Sequence, residues 1–163
     1  MIVANRRFAL LFILTFIFFQ FIQAEHFNVS IDPTGESTLF IFQDSISSLD
    51  NNDEIGLFDT NGILDAEGNI GEILVGAGVW DGTQTEIVGI MSVDLSDFNG
   101  PILPGAISGN SLVLKIWDYS EQREYNVESY NVSTGAGTFN GLFSAIDEIT
   151  LPEPHFNLSI DET

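Results

Sequence analysis

The chain has 163 residues, with 24 acidic side chains against four basic ones, two histidines and no cysteine. So acidic a polypeptide repels phosphate backbones, whose recognition rests on Lys and Arg. Without cysteine it has no disulfide, no thiolate zinc site and no cysteine nucleophile, and its length suits one domain able to bury its own core.

Met1 to Ala24 reads as an export signal. Arg6 and Arg7 give a charged start, Phe8 to Phe19 an apolar run broken only by Thr15, and Ala24 a small residue before the cut. The competing reading is an uncleaved anchor, because Ile22 stands where a second small residue is expected. The apolar run is shorter than the ~20 residues of a spanning helix, which favours cleavage. The body from Glu25 onward then lies outside the cytoplasm with a formal charge of 2 − 24 = −22. Nucleic acid is excluded as a partner, and a membrane enters only if the leader stays attached.

The body opens on His26-Phe27-Asn28-Val29-Ser30-Ile31-Asp32-Pro33-Thr34, read as a first strand. Apolar runs follow at Leu39–Phe42, Ile55–Phe58, Ile73–Trp80, Glu86–Val93, Leu112–Asp118 and Tyr125–Val132. Turn residues separate them at Asn61-Gly62, Asn99-Gly100-Pro101, Gly109-Asn110 and Gly135-Ala136-Gly137. Short strands between such breaks predict an all-β, Ig-like or jelly-roll β-sandwich. Leu39–Phe42, apolar on both faces, reads as a central strand, and Gly141–Asp147 as at most a turn of helix. The opening sequence returns as His155-Phe156-Asn157-Leu158-Ser159-Ile160-Asp161-Glu162-Thr163, identical at seven of nine positions and 129 residues on. That separation is a domain length, and Leu151-Pro152-Glu153-Pro154 reads as a stiff connector. The expected organisation is a signal peptide (1–24), a sandwich module (25–151), then a linker and the start of a second repeat (152–163).

Alternation of side chains assigns faces. Leu112, Leu114 and Ile116 point one way, and Val113, Lys115 and Trp117 the other. In the third run Gly76 and Gly78 share a face with Leu74 and Trp80, leaving bare backbone that something approaches closely: the domain's own packing, a neighbouring aromatic or a ligand.

Trp80, Trp117 and Tyr119 are the candidate binding residues, either as a stacking platform for a polysaccharide or as core aromatics. Asp53, Glu54, Asp59, Asn61 and Asp65 are the candidate metal ligands, because hard cations such as Ca2+ take several oxygens; Asp94 could add another. The fit to an EF-hand is poor, with Ile63 and Ile70 at ligand positions. The alternative is an Asn-Gly hairpin beside solvated acids. No nucleophile elbow, P-loop, zinc-protease or dinucleotide motif is present, and any carboxylate pair for glycoside cleavage is unmarked by spacing. Glycosylation sequons occur at Asn28, Asn131 and Asn157.

Thr34-Gly35-Glu36-Ser37, Asp53–Asp59, Leu74–Gly82, Leu103-Pro104-Gly105, and Gly109-Asn110 through Lys115-Ile116-Trp117-Asp118 resemble a repeat β-sandwich module of large secreted proteins of marine and gliding bacteria. The resemblance implies surface display in arrays and no catalytic activity; Asn52 departs from the module's usual glycine, and its sorting domain is missing. The expected function is a noncatalytic secreted or cell-surface module for adhesion or spacing, with neighbouring modules or extracellular polysaccharide as partners. A carbohydrate-binding module and a glycoside hydrolase are the alternatives.

Overall fold

The computed structural model describes residues 26–152; the leader and the second copy of the opening sequence lie outside them. Among the described residues no helix is long and apolar enough to cross a membrane. Two four-stranded sheets pack face to face as a β-sandwich. The first holds β4 (Thr85–Ile90), β1 (Ser37–Phe42), β10 (Phe143–Thr150) and β9 (Ser129–Thr134) in that order. The second holds β3 (Ile70–Val79), β2 (Glu54–Ile63), β7 (Val113–Asp118) and β8 (Arg123–Asn126). A small ribbon of β5 (Val93–Asp94) and β6 (Ile102–Leu103) brackets a 3-10 turn at Ser96–Phe98. Neighbours pair antiparallel except β1 and β10, which run parallel.

The core lies where inward residues of the two sheets meet. Phe40 and Phe42 of β1 and Ile146 of β10 face Ile55 and Leu57 of β2 and Leu114 and Ile116 of β7, and Trp80 closes the group. The face assignment in β7 holds, with Leu112, Leu114 and Ile116 buried and Val113, Lys115 and Trp117 on the far side. β1 is central, as its sequence implies.

Four expectations change. The opening sequence is not a strand: His26 to Glu36 is an irregular strap leading into β1. Asn61-Gly62 is not a hairpin turn, because β2 continues to Ile63 through an irregularity between Asp59 and Gly62. The reversal comes at Asp65–Gly68, where Asp65 accepts hydrogen bonds from the amides of Glu67 and Asn69. The run Tyr125–Val132 is two strands in different sheets, the chain crossing where the Val127 amide bonds to Leu114 and that of Glu128 to Thr150. Gly141–Asp147 is not helical; from Phe143 it is β10, inserted between β1 and β9.

Gly76 and Gly78 serve the domain's own packing. A Cβ on Gly76 would sit 2.5 Å from the Val88 carbonyl oxygen, and one on Gly78 would sit 2.9 Å from the Ile87 side chain. The bare strip lets the edge strands β3 and β4 close one side of the sandwich.

Candidate functional site

The outer face of the second sheet carries a second apolar cluster, built by alternation. With Ile55 and Leu57 in the core, Glu54, Gly56 and Phe58 of β2 point outward, beside Trp117, Lys115 and Val113 of β7 in register. Gly56 leaves a hollow between two larger neighbours. The strap fills it: Phe27 is only 4 % exposed, and its ring meets Phe58 edge-to-face at 5.7 Å. A Cβ on Gly56 would sit 2.7 Å from the Phe58 ring and 3.1 Å from the Phe27 ring, so the two rings share the space over it.

Glu54 fixes the strap's backbone. Its buried carboxylate accepts from the His26 amide at 3.0 and 2.9 Å and from the Phe27 amide at 2.9 Å. Charge-assisted bonds of this kind satisfy donors that would otherwise be stranded against an apolar surface. His26 then stacks on Trp117, centroids 3.8 Å apart and planes 10° from parallel, with Nε2 3.0 Å from Glu124 Oε2. Lys115 completes the rim, its Nζ 4.4 Å above the Phe58 ring and 2.6 Å from Glu72. Its stem covers apolar surface while its charge meets carboxylates.

Beyond Phe27 the strap borders a cleft of about 450 Å3, where Val29 and Pro33 to Ser37 face Val75–Ala77 of β3 and Glu86–Val88 and Ile90 of β4. The cleft's wall is largely aliphatic. Ile31 packs against the main core, and the Thr34 hydroxyl donates to the Met91 carbonyl at 2.5 Å.

The three aromatic candidates divide between the core and the surface. Trp80 is 1 % exposed and belongs to the core. Trp117 offers one face to His26. Tyr119 is 56 % exposed, and its backbone amide donates to Asp53.

The five metal candidates run from Asp53, just before β2, to Asp65, beyond its end, and each is engaged in hydrogen bonds within the fold. Asp53 accepts from the amides of Asp50 and Tyr119, tying the β1–β2 loop to the end of β7. Burial pushes its carboxyl above the ordinary value, against the pull of those two amides. Asp59 is 1 % exposed and accepts from the amides of Asn61 and Ile107 and from the Asn110 side chain. It stands roughly 17 Å along the strand from Glu54. Asn61 donates to Thr60 and its carbonyl accepts from Asn110. Asp65 and Asp94 each close a local turn, Asp94 accepting from the Ser96 amide. Hydrogen bonds from Asn69 and from Ser96, respectively, hold these two carboxyls below the ordinary range. Among the described residues no three His, Asp or Glu side chains form a metal-sized group.

Sequence reasoning did not find Glu54 as a backbone clamp, nor Gly56 and Phe58 as the seat of Phe27. One signal was present: Glu54, Gly56 and Phe58 alternate with Ile55 and Leu57, so a non-polar outer position at Phe58 calls for a cover. Asn28 and Asn131, the described sequon asparagines, are exposed. No family model matches this sequence, and no curated protein or solved structure matches it either.

Proposed function

We propose that this β-sandwich is an exported, noncatalytic module that spaces or attaches other domains outside the cytoplasm. The observation that carries this reading is how the groups capable of chemistry are used. His26 is held between Trp117 and Glu124, while Asp53, Glu54 and Asp59 are buried and bonded to backbone amides of other segments. Their geometry serves cohesion: each of these side chains is engaged in tying one segment of the sandwich to another. The leader-like start, the repeated opening sequence and the strongly acidic body support the same reading, since high net charge keeps linked modules soluble and apart and attracts divalent cations such as Ca2+ to the surface.

A polysaccharide platform would rest on the exposed Tyr119 and on Trp117, one face of which is taken by His26, with Trp80 internal. The test is location: surface proteolysis of intact source cells, with immunodetection of the domain in medium, envelope and cytosol. Protease-accessible or released protein is the expected result. Intact protein confined to the cytosol would overturn the reading.

A further inference from the structure

We propose that the segment His155–Asp161 of one copy of this chain fits the groove on the outer face of the second sheet of another copy, and takes it when the receiving copy's own strap is weakened. The four strap side chains that meet the aromatic face, the cleft and the core between His26 and Ile31 all have counterparts in this segment. His26, which stacks on Trp117, and Phe27, which fills the hollow over Gly56, return as His155 and Phe156. Val29 at the cleft returns as Leu158, and Ile31 at the core as Ile160. The clamp on Glu54 uses only backbone amides, which any two such residues supply. The nine-residue comparison differs only at Val29, replaced by Leu158, and Pro33, replaced by Glu162. A groove that accepts the first sequence therefore accepts the second.

Competition decides which copy occupies it. The strap is tethered a few residues from β1, so its effective concentration is in the range of mM. The wild-type groove is then filled in cis at ordinary concentrations. Weakening the strap hands the groove to the other segment. Such a contact joins two different surfaces, the C-terminal part of one copy and the sheet of the next, so it yields either a reciprocally exchanged dimer or a head-to-tail chain. The groove is the same wherever the chain works, so exchange stands apart from the proposed location.

The test uses the full chain and a fluorescent peptide of sequence His155–Thr163. Against wild-type chain the peptide binds weakly. Against Phe27→Ala, which vacates the hollow, binding tightens at least tenfold. That gain is lost in Phe27→Ala with Gly56→Val, whose side chain fills the hollow, and with a peptide carrying Phe156→Ala. Sedimentation of the Phe27→Ala chain shows association that grows with concentration and disappears on adding Phe156→Ala. Binding that ignores Gly56→Val or the peptide's phenylalanine overturns the proposal, as does a Phe27→Ala chain that stays monomeric and takes up no peptide. If Phe27→Ala unfolds, His26→Ala keeps Phe27 and removes only the stacked ring. It must then bind the peptide more tightly than wild type, and failure to do so is equally decisive.

Discussion

The imidazole of His26 lies flat on the indole of Trp117, and the next residue, Phe27, fills the hollow above Gly56. Two adjacent side chains thus cover a sheet face that alternation alone would leave half apolar. His26→Ala uncovers Trp117 while leaving Trp80 in the core. Its fluorescence should shift to longer wavelength, with a loss of about 1 kcal/mol in urea unfolding for the lost ring pair. Unchanged emission would mean that the imidazole does not shield the indole in solution.

Glu54 carries a larger share of the strap. Glu54→Ala strands the amides of His26 and Phe27 beside an apolar cluster, at a cost of roughly 2–4 kcal/mol. Glu54→Gln keeps one carbonyl acceptor and should lose about half as much. Hydrogen exchange reads this directly: the Phe27 amide should exchange much faster in the alanine variant, while amides of β1 and β10 slow or quicken only with global stability.

Two glycines on one strand should respond differently to the same methyl group. At Gly76 the added carbon meets the backbone oxygen of Val88 at 2.5 Å, so β4 itself must move. At Gly78 it meets side-chain atoms alone, Cγ1 and Cδ1 of the buried Ile87 at 2.9 Å, which yield more readily than backbone. Gly76→Ala should cost about 1–3 kcal/mol and Gly78→Ala clearly less, as measured by thermal unfolding. The reverse order would show that β3 and β4 are not in contact as described.

The parts of the fold legible in the sequence were those whose burial follows strict alternation, such as Leu112 and, in β7, Leu114 and Ile116, or a doubly apolar run, such as β1. β10 was hidden because its inward and outward residues mix small, polar and acidic side chains, from Ser144 and Ala145 to Asp147 and Glu148; its strand state comes from lying between β1 and β9. The split of Tyr125–Val132 was hidden for a related reason. A change of sheet needs no glycine or proline when Val127 and Glu128 find carbonyl partners on Leu114 and Thr150. The candidate site was legible only as residue types. That Asp53, Glu54 and Asp59 bond to amides 27 to 66 residues away is a property of the tertiary structure.

Asp59 offers a direct comparison of loop anchor with cation ligand. It joins β2 to the segment entering β7 through Ile107 and Asn110. Asp59→Ala leaves the Ile107 amide and the Asn110 side chain without their acceptor, and should cost roughly 2–4 kcal/mol. The loss should be the same in chelator and in added calcium. A wild-type midpoint that rises with calcium and a variant that does not respond would instead make Asp59 a ligand.

Asp53 should make stability depend on pH in the direction opposite to Asp65. Burial holds the Asp53 carboxyl above its ordinary 3.8, so the folded chain takes up its proton before the unfolded chain does. Its ionised form therefore weakens the fold at neutral pH, and that penalty fades as pH falls from the folded value toward 3.8. Asp65, held below 3.8 by the Asn69 side chain, contributes stability above 3.8 that disappears as pH drops through its folded value. Urea unfolding across a pH series, comparing each Asn variant with wild type, separates the two. Relative to Asp53→Asn, wild type should gain stability between neutral pH and about 4. Relative to Asp65→Asn it should lose stability only below that range. A difference from Asp53→Asn that stays flat with pH would mean that solvent reaches this carboxylate, and that the tie between the β1–β2 loop and Tyr119 is open in solution.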